Sequence, residues 1–441
     1  MGTTALGLET QLPVGSVPAV QNRWRRPFSV VLVLLLWFVV YFDPHRWLTV
    51  YLPDAVEKLP LLLFVTVLVV AVPRFPPRDW FVLYLVFLFG MFVMLPFAPN
   101  RGLARDATKV MVLGYVLALT SMALIKRLRD VMPIFVIIVA AFGYWAVVGG
   151  REGRVVWHPF YANQDGFGPL MVMGMGFSYY LGQAARSRAL KYFCFLAAGF
   201  CLFGIITSFA RGAVLSAAAL AALVWVRSPH KLRTLGAGIL GAALLFGSVR
   251  VLFPEGQFWK EMESSFTEGT EEGTGADRWW LWQAAMKIYT HHPVFGVGPG
   301  NFGVAAADLP SEEVEGDYKL NPRQLYGKNT HSIYFTILSE QGTWGVIAFL
   351  LLMADFWRRQ FWMRRQLPRA VFREETGGAF NLNLVVLALE AAMLGYLLSG
   401  FFYAQHAVHW CYSLLSLNAL LHVTVRATVR ARQAQALQPA A

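Results

Sequence analysis

Charge is scarce in this sequence. Only 15% of the 441 residues are Asp, Glu, Lys or Arg, against about 25% in a soluble domain. That scarcity, with 56% hydrophobic residues, excludes an ordinary water-soluble enzyme. Cysteine is nearly absent too. Cys194, Cys201 and Cys411 all lie in apolar runs, so they read as packing residues and not as a disulfide framework. No Asp-x-Asp pair occurs; Glu315-Gly316-Asp317 is the nearest outside carboxylate pair. No glycine loop stands between a strand and a helix. A metal-dependent sugar-nucleotide transferase is therefore disfavoured. The net charge of +12 does not point to nucleic acid, because the basic residues sit in short clusters between apolar segments.

Those clusters set an orientation. About twelve apolar runs can be marked, at 28–42, 59–73, 80–98, 107–125, 131–149, 167–184, 189–207, 212–227, 232–253, 332–357, 382–403 and 406–425. Most approach the roughly 20 residues that a spanning helix needs. With the N-terminus in the cytoplasm, most Lys and Arg fall in the inner segments, notably Arg23 to Arg26, Lys126 to Arg129, Arg186 to Lys191 and Arg358 to Arg373. Inner basic residues are the rule for polytopic proteins. The expectation is an all-α polytopic membrane protein of about 12 transmembrane helices. Residues 1–27 form a disordered cytoplasmic N-terminus. Helices 1–9 cover 28–253, and 254–331 is one long outside loop. Helices 10–12 cover 332–425, with a basic cytoplasmic loop at 358–380, and 426–441 is a cytoplasmic tail. The run after Arg23 mimics a signal peptide, but Asp43-Pro44-His45-Arg46 follows and no small-residue cleavage site does, so it reads as an uncleaved span.

The outside loop is not a spacer. Thr274 to Thr290 holds Trp279, Trp280 and Trp282 and reads as an amphipathic helix at the bilayer interface. A turn-rich segment from His291 to Gly300 ends it. The stretch 358–375 mixes arginines with aromatics and reads as an inner-leaflet surface helix.

Three residues on the outer side carry possible chemistry. His331 stands where the loop re-enters the membrane. An imidazole exchanges protons near neutral pH, so a general base is one reading and a hydrogen-bonded interfacial histidine the other. Arg211, in Thr207-Ser208-Phe209-Ala210-Arg211-Gly212, is either a phosphate clamp or a side chain snorkelling to lipid headgroups. Arg278, near the start of the tryptophan helix, either holds an anion with free helix N–H groups or pairs with Asp277. Glu340 lies nine helical steps past His331, on the opposite face, and reads as a buried structural group with a partner such as Lys109. His291 and His292 show no third metal ligand.

In this order the motifs resemble the O-antigen ligase superfamily of membrane glycosyltransferases. They are Ser208-x-x-Arg211-Gly212; Asp277-Arg278-x-x-x-Trp282; His292-Pro293-x-x-Gly296-x-Gly298-x-Gly300-Asn301-Phe302; and His331-Ser332-x-Tyr334-x-x-x-Leu338-x-Glu340-x-Gly342. The His-Ser-Ile-Tyr-Phe spelling and Asp43-Pro44-His45-Arg46 also look like the exosortase-associated O-glycosylation ligase branch. The resemblance implies a GT-C-like fold in the bacterial inner membrane and an active site facing the periplasm. It implies an inverting transferase that needs no metal or cofactor. Its donor would be a glycan on undecaprenyl pyrophosphate and its acceptor a sugar hydroxyl of lipid A–core. His331 matches the family's catalytic histidine, and Arg211 and Arg278 its pyrophosphate-binding arginines. An O-antigen polymerase or a protein O-oligosaccharyltransferase would use the same donor. A lipid-linked oligosaccharide transporter is the non-enzyme alternative, but the one long loop argues against the repeat symmetry expected there.

Overall fold

The computed structural model describes residues 27–44, 59–72, 79–158, 160–228, 230–252, 273–367, 378–404 and 409–436. The polar N-terminal stretch to residue 26, the acidic stretch 261–272, residues 368–377 and His406 lie outside them. Every apolar run of the sequence is a helix. In chain order these are α1 (Phe28–Phe42), α2 (Leu59–Ala71), α3 (Asp79–Met94), α4 (Arg101–Leu124), α5 (Leu128–Gly149), α6 (Gln164–Ala184), α7 (Arg188–Thr207), α8 (Arg211–Arg227) and α9 (Lys231–Leu252). The loop region supplies α10 (Gly273–His291), the short α11 (Phe302–Ala307) and three single-turn 3-10 segments. The last helices are α12 (Ile333–Gln366), α13 (Leu382–Ser399) and α14 (His409–Ala436). Five of them, α4, α5, α7, α12 and α13, are long and apolar enough to cross a membrane. Helices α1, α2 and α3 are apolar but shorter. The chain is an all-α, multi-pass membrane protein.

Local sequence starts the helices. Asn100 and Asn163 accept from the N–H groups of Leu103 and Gly166 at 3.2 and 2.7 Å, satisfying donors that the first helical turn leaves open. The interior is aromatic, and two of its buried indole N–H groups are paired. Trp37 Nε1 donates to Ser121 Oγ, and Trp145 Nε1 to the Tyr41 carbonyl, both at 2.8 Å. Helices α6 and α13 approach closely because small residues face each other. A Cβ added to Gly176 would lie 3.2 Å from that of Ala391, the kind of interface that packs helices where no water drives them together. Outward faces remain apolar, with Leu61, Leu196, Leu215 and Leu350 exposed. In water such a surface would aggregate; against lipid it is at home.

The end of the bundle that carries the arginine cluster departs from the sequence reading. Residues 358–366 are not a separate surface helix but the continuation of α12. Arg359 and Gln360 are buried there because partners await them. Asp355 accepts from Arg359 Nε at 2.6 Å, and Gln360 Nε2 donates to Asn418 at 3.1 Å. Arg227 and Arg364 both reach the buried Glu390.

The loop region has its own small core. Leu281, Ala284, Ala285 and Ile288 of α10 pack with Val297, Phe302, Leu309, Tyr318 and Leu325. The apolar face of α10 is thus spent largely on the loop itself, while Trp279 stays exposed.

This region is locked to α12 through a break in that helix. Gly342 has φ 62° and ψ −160°, a conformation that suits glycine alone. The N–H groups of Thr343 and Trp344, which the break would orphan, donate to the carbonyls of Pro293 and Val294 at 2.8 and 3.0 Å. Val297 and Gly298 donate in return to the carbonyls of Ser339 and Glu340, at 3.1 and 2.8 Å. The buried Glu340 carboxylate completes the joint by accepting from the N–H groups of Gly300 and Phe302, at 2.7 and 3.1 Å. Lys109, the partner suggested by sequence, is an exposed residue. A broken helix is tolerated at membrane depth where protein re-satisfies the backbone, and here the glycine-rich segment does so. Gly296 is the counterpart of Gly342. Its φ is 66°, and a Cβ there would sit 2.3 Å from the Glu340 carbonyl carbon.

Candidate active site

His331 sits on the turn just before α12. Its φ is 50°, a left-handed conformation that non-glycine residues seldom adopt and that tends to mark functional sites. The turn is pinned on both sides. Trp282 Nε1 donates to the Thr330 carbonyl at 2.9 Å, and the Ile333 N–H donates to the Gly400 carbonyl at 2.9 Å. The Thr330 hydroxyl is 2.7 Å from the Ser332 carbonyl.

The partner of His331 is Asp165, which the sequence reading passed over. Asp165 Oδ2 lies 3.1 Å from His331 Nδ1. The Asn163 cap begins α6 two residues earlier, so Asp165 falls in the first turn, where a carboxylate is favoured by the helix dipole. A carboxylate beside Nδ1 favours the N–H on that nitrogen and a free lone pair on Nε2, the arrangement by which a third group can orient a histidine. Nε2 of His331 has no hydrogen-bond partner among the described residues, and 29% of the side chain is exposed.

A second histidine–aspartate pair provides the contrast. His158 Nε2 lies 2.8 Å from Asp43 Oδ2. Its Nδ1 accepts from the Phe160 N–H at 3.2 Å, and its ring stacks on Tyr161 at 4.1 Å. With both nitrogens occupied and 1% of the side chain exposed, His158 is a structural residue. The two pairs share chemistry and differ in access.

Both arginines border the same place. Arg211 is the first residue of α8, so it lies at the positive end of that helix dipole, a natural position for an anion. Gly212 beside it touches the turn after α13; a Cβ there would lie 2.5 Å from Phe402 Cβ. The Arg278 guanidinium carbon lies 6.0 Å from the centre of the Phe402 ring, at the outer limit of a cation–π contact. Arg278 makes no ion pair among the described residues. Asp277, its expected partner, accepts instead from the Tyr318 hydroxyl at 3.3 Å. Burial and then the Asp277 carboxylate push that hydroxyl up to about 12. Helix α10 begins at Gly273, which puts Arg278 in its second turn, beyond the free N–H groups. The helix end that can share an anion with an arginine is that of α8 at Arg211, not that of α10.

The turn from Gly400 to Tyr403 is the hub. It receives the Ile333 N–H beside His331, packs on Gly212 beside Arg211, and carries the Phe402 ring near Arg278. The buried Tyr403 hydroxyl lies within electrostatic reach of both Asp165 and Arg278. His331, Arg211 and Arg278 thus all border the 400–403 turn, at one end of the bundle. Such a set can accept a proton and neutralise a leaving phosphate.

Residues 196–350 match the family model described as O-antigen ligase, which bears out the resemblance to that superfamily for this stretch. No curated protein matches the chain. The matched stretch holds Arg211, Arg278, His331 and both halves of the glycine joint; Asp165 and the 400–403 turn lie outside it.

Proposed function

We propose that the protein is an O-antigen ligase, a membrane glycosyltransferase. It moves a glycan from undecaprenyl pyrophosphate to a sugar hydroxyl of lipid A–core on the periplasmic face of the inner membrane. His331 Nε2 takes the proton of the acceptor hydroxyl as that oxygen attacks the anomeric carbon. The bond from that carbon to the pyrophosphate oxygen breaks, and the pyrophosphate leaves with the electron pair. Arg211 and Arg278 neutralise the charge gathering on the leaving group. Guanidinium binds phosphate oxygens through a planar fork, and charge stabilisation placed where charge develops is commonly the largest catalytic effect. Asp165 fixes the imidazole tautomer. A single displacement inverts the anomeric centre.

The observation that carries this reading is the open Nε2 of a carboxylate-oriented histidine in a stretch that matches the O-antigen ligase family. Purified protein incubated with undecaprenyl-pyrophosphate glycan and lipid A–core, without nucleotide or added metal, should form the ligated product with inverted linkage. A strict requirement for a nucleotide sugar would overturn the donor. Transfer only to a second lipid-linked glycan would make the protein a polymerase instead.

A further inference from the structure

A pocket of about 340 Å³ opens between the turn after α3 and the far end of α10. Its volume is within the range of small-molecule sites. Phe97, Ile288 and Leu309 give it apolar walls, while His291, His292 and Asp308 stand among the lining residues as exposed polar groups. His291 is held by Glu313, with Nε2 3.2 Å from Oε2. The side chains of His292 and Asp308 have no partner among the described residues. No group of three metal-ligating side chains forms among those residues, so the polar rim is not a ligand set for a metal. Nor does it suit an acyl chain, which would desolvate an imidazole and a carboxylate and return nothing.

Helix α10 puts this pocket in line with the reaction. At 1.5 Å per residue, Ile288 lies about 15 Å along the axis from Arg278. Between them stands Trp282, hydrogen-bonded to the residue before His331. The order along the helix is therefore leaving-group arginine, base, pocket. An inverting displacement brings the nucleophile in from the face opposite the leaving group, so the pocket is on the acceptor's side.

We propose that this pocket is a saccharide subsite, holding a sugar ring of the acceptor glycan that is remote from the reacting hydroxyl. The inference rests on the glycosyl-transfer reading above. A pyranose has the matching chemistry, with a face of C–H groups for Phe97, Ile288 and Leu309 and a rim of hydroxyls for His292 and Asp308. Binding energy from such a remote unit helps to position the reacting hydroxyl.

The test uses the full-length protein in detergent and a lipid-free core oligosaccharide released from lipopolysaccharide by mild acid. Its binding is followed by calorimetry or saturation-transfer NMR. His292→Ala/Asp308→Ala should weaken binding about tenfold or more, whereas His331→Ala should leave it intact. In transfer assays the double variant should raise KM for complete lipid A–core with little change in kcat. With an acceptor truncated to its reacting end, it should match the wild type. Unchanged oligosaccharide binding in the double variant would overturn the subsite, as would stronger competition by lauric acid than by the oligosaccharide. Tighter binding of the donor's free repeat-unit glycan would overturn the acceptor assignment. Binding does not depend on turnover, so the two readings fail separately. Variant-sensitive binding without any transfer removes the transferase reading, and transfer with variant-insensitive binding removes the subsite.

Discussion

Asp165 and His331 come from opposite halves of the chain, yet Oδ2 of one lies 3.1 Å from Nδ1 of the other. The contact joins the start of α6 to the turn before α12. It divides the work on the imidazole, with one nitrogen held by the protein and the other presented outward.

That division sets the first expectation. His331→Ala should lower turnover by about 10²–10⁴-fold, the usual worth of a general base, with donor binding retained. Asp165→Asn should cost part of that factor, because an amide can bond Nδ1 in either tautomer. KM for the donor should barely move. Wild-type turnover in His331→Ala, measured with pyrophosphate-linked donor, would falsify the general-base role.

The arginines should behave differently. Arg278→Ala and Arg211→Ala should impair donor binding and turnover together. Arg278→Lys should rescue poorly, since an ammonium cannot reproduce the fork. EDTA should leave the wild type active. A metal requirement restored by a divalent cation would shift charge neutralisation away from the guanidiniums.

The joint around Gly342 makes a prediction about stability and not chemistry. Glu340→Leu leaves the buried Phe302 N–H without its acceptor, a loss of about 1–3 kcal/mol. Gly342→Ala combines a strained φ, worth about 1–3 kcal/mol, with a Cβ 2.6 Å from the Val294 carbonyl oxygen. Both should lower the thermal midpoint in detergent and speed proteolysis of the loop. Unchanged midpoints would mean that loop and helix are not fastened there.

Orientation can be read by thiol labelling. The native Cys194, Cys201 and Cys411 are buried, so their background should be low. An impermeant maleimide should modify Ser311→Cys in intact spheroplasts and spare Ala434→Cys until the membrane is opened. The reverse pattern would put the site on the cytoplasmic face.

Much of this was legible in the sequence, and the limits have a physical cause. Long apolar runs announce helices because a bilayer-facing segment must close its own hydrogen bonds. Arg211 and His331 stand out as ionisable groups at the ends of such runs, and Arg278 as a cation near the start of the tryptophan helix. Asp165 does not, although the Asn163 cap places it at a helix start, because nothing local ties it to a histidine in the second half of the chain. Glu340 looked like a buried ion in need of a cation. Its partners are two backbone N–H groups, which carry no sequence signal. In the sequence the glycines of 296–300 mark a turn that ends the tryptophan helix and Gly342 belongs to a family motif, whereas the structure makes them two halves of one interlock. Arg359 and Gln360 looked like surface because the buried Asp355 and Asn418 that receive them are invisible in a linear pattern.

The interlock also bears on how the chain is made. Gly300 and Glu340 are 40 residues apart, and the glycine segment leaves the ribosome first. The part of α12 above the break, Ile333 to Gln341, is too short to cross a bilayer alone, and the backbone at Gly342 lacks partners until that earlier segment returns to it. The fold of α12 is therefore complete only when the earlier glycine segment returns to it. A chain halted before that return would be left with backbone groups at Gly342 that nothing satisfies.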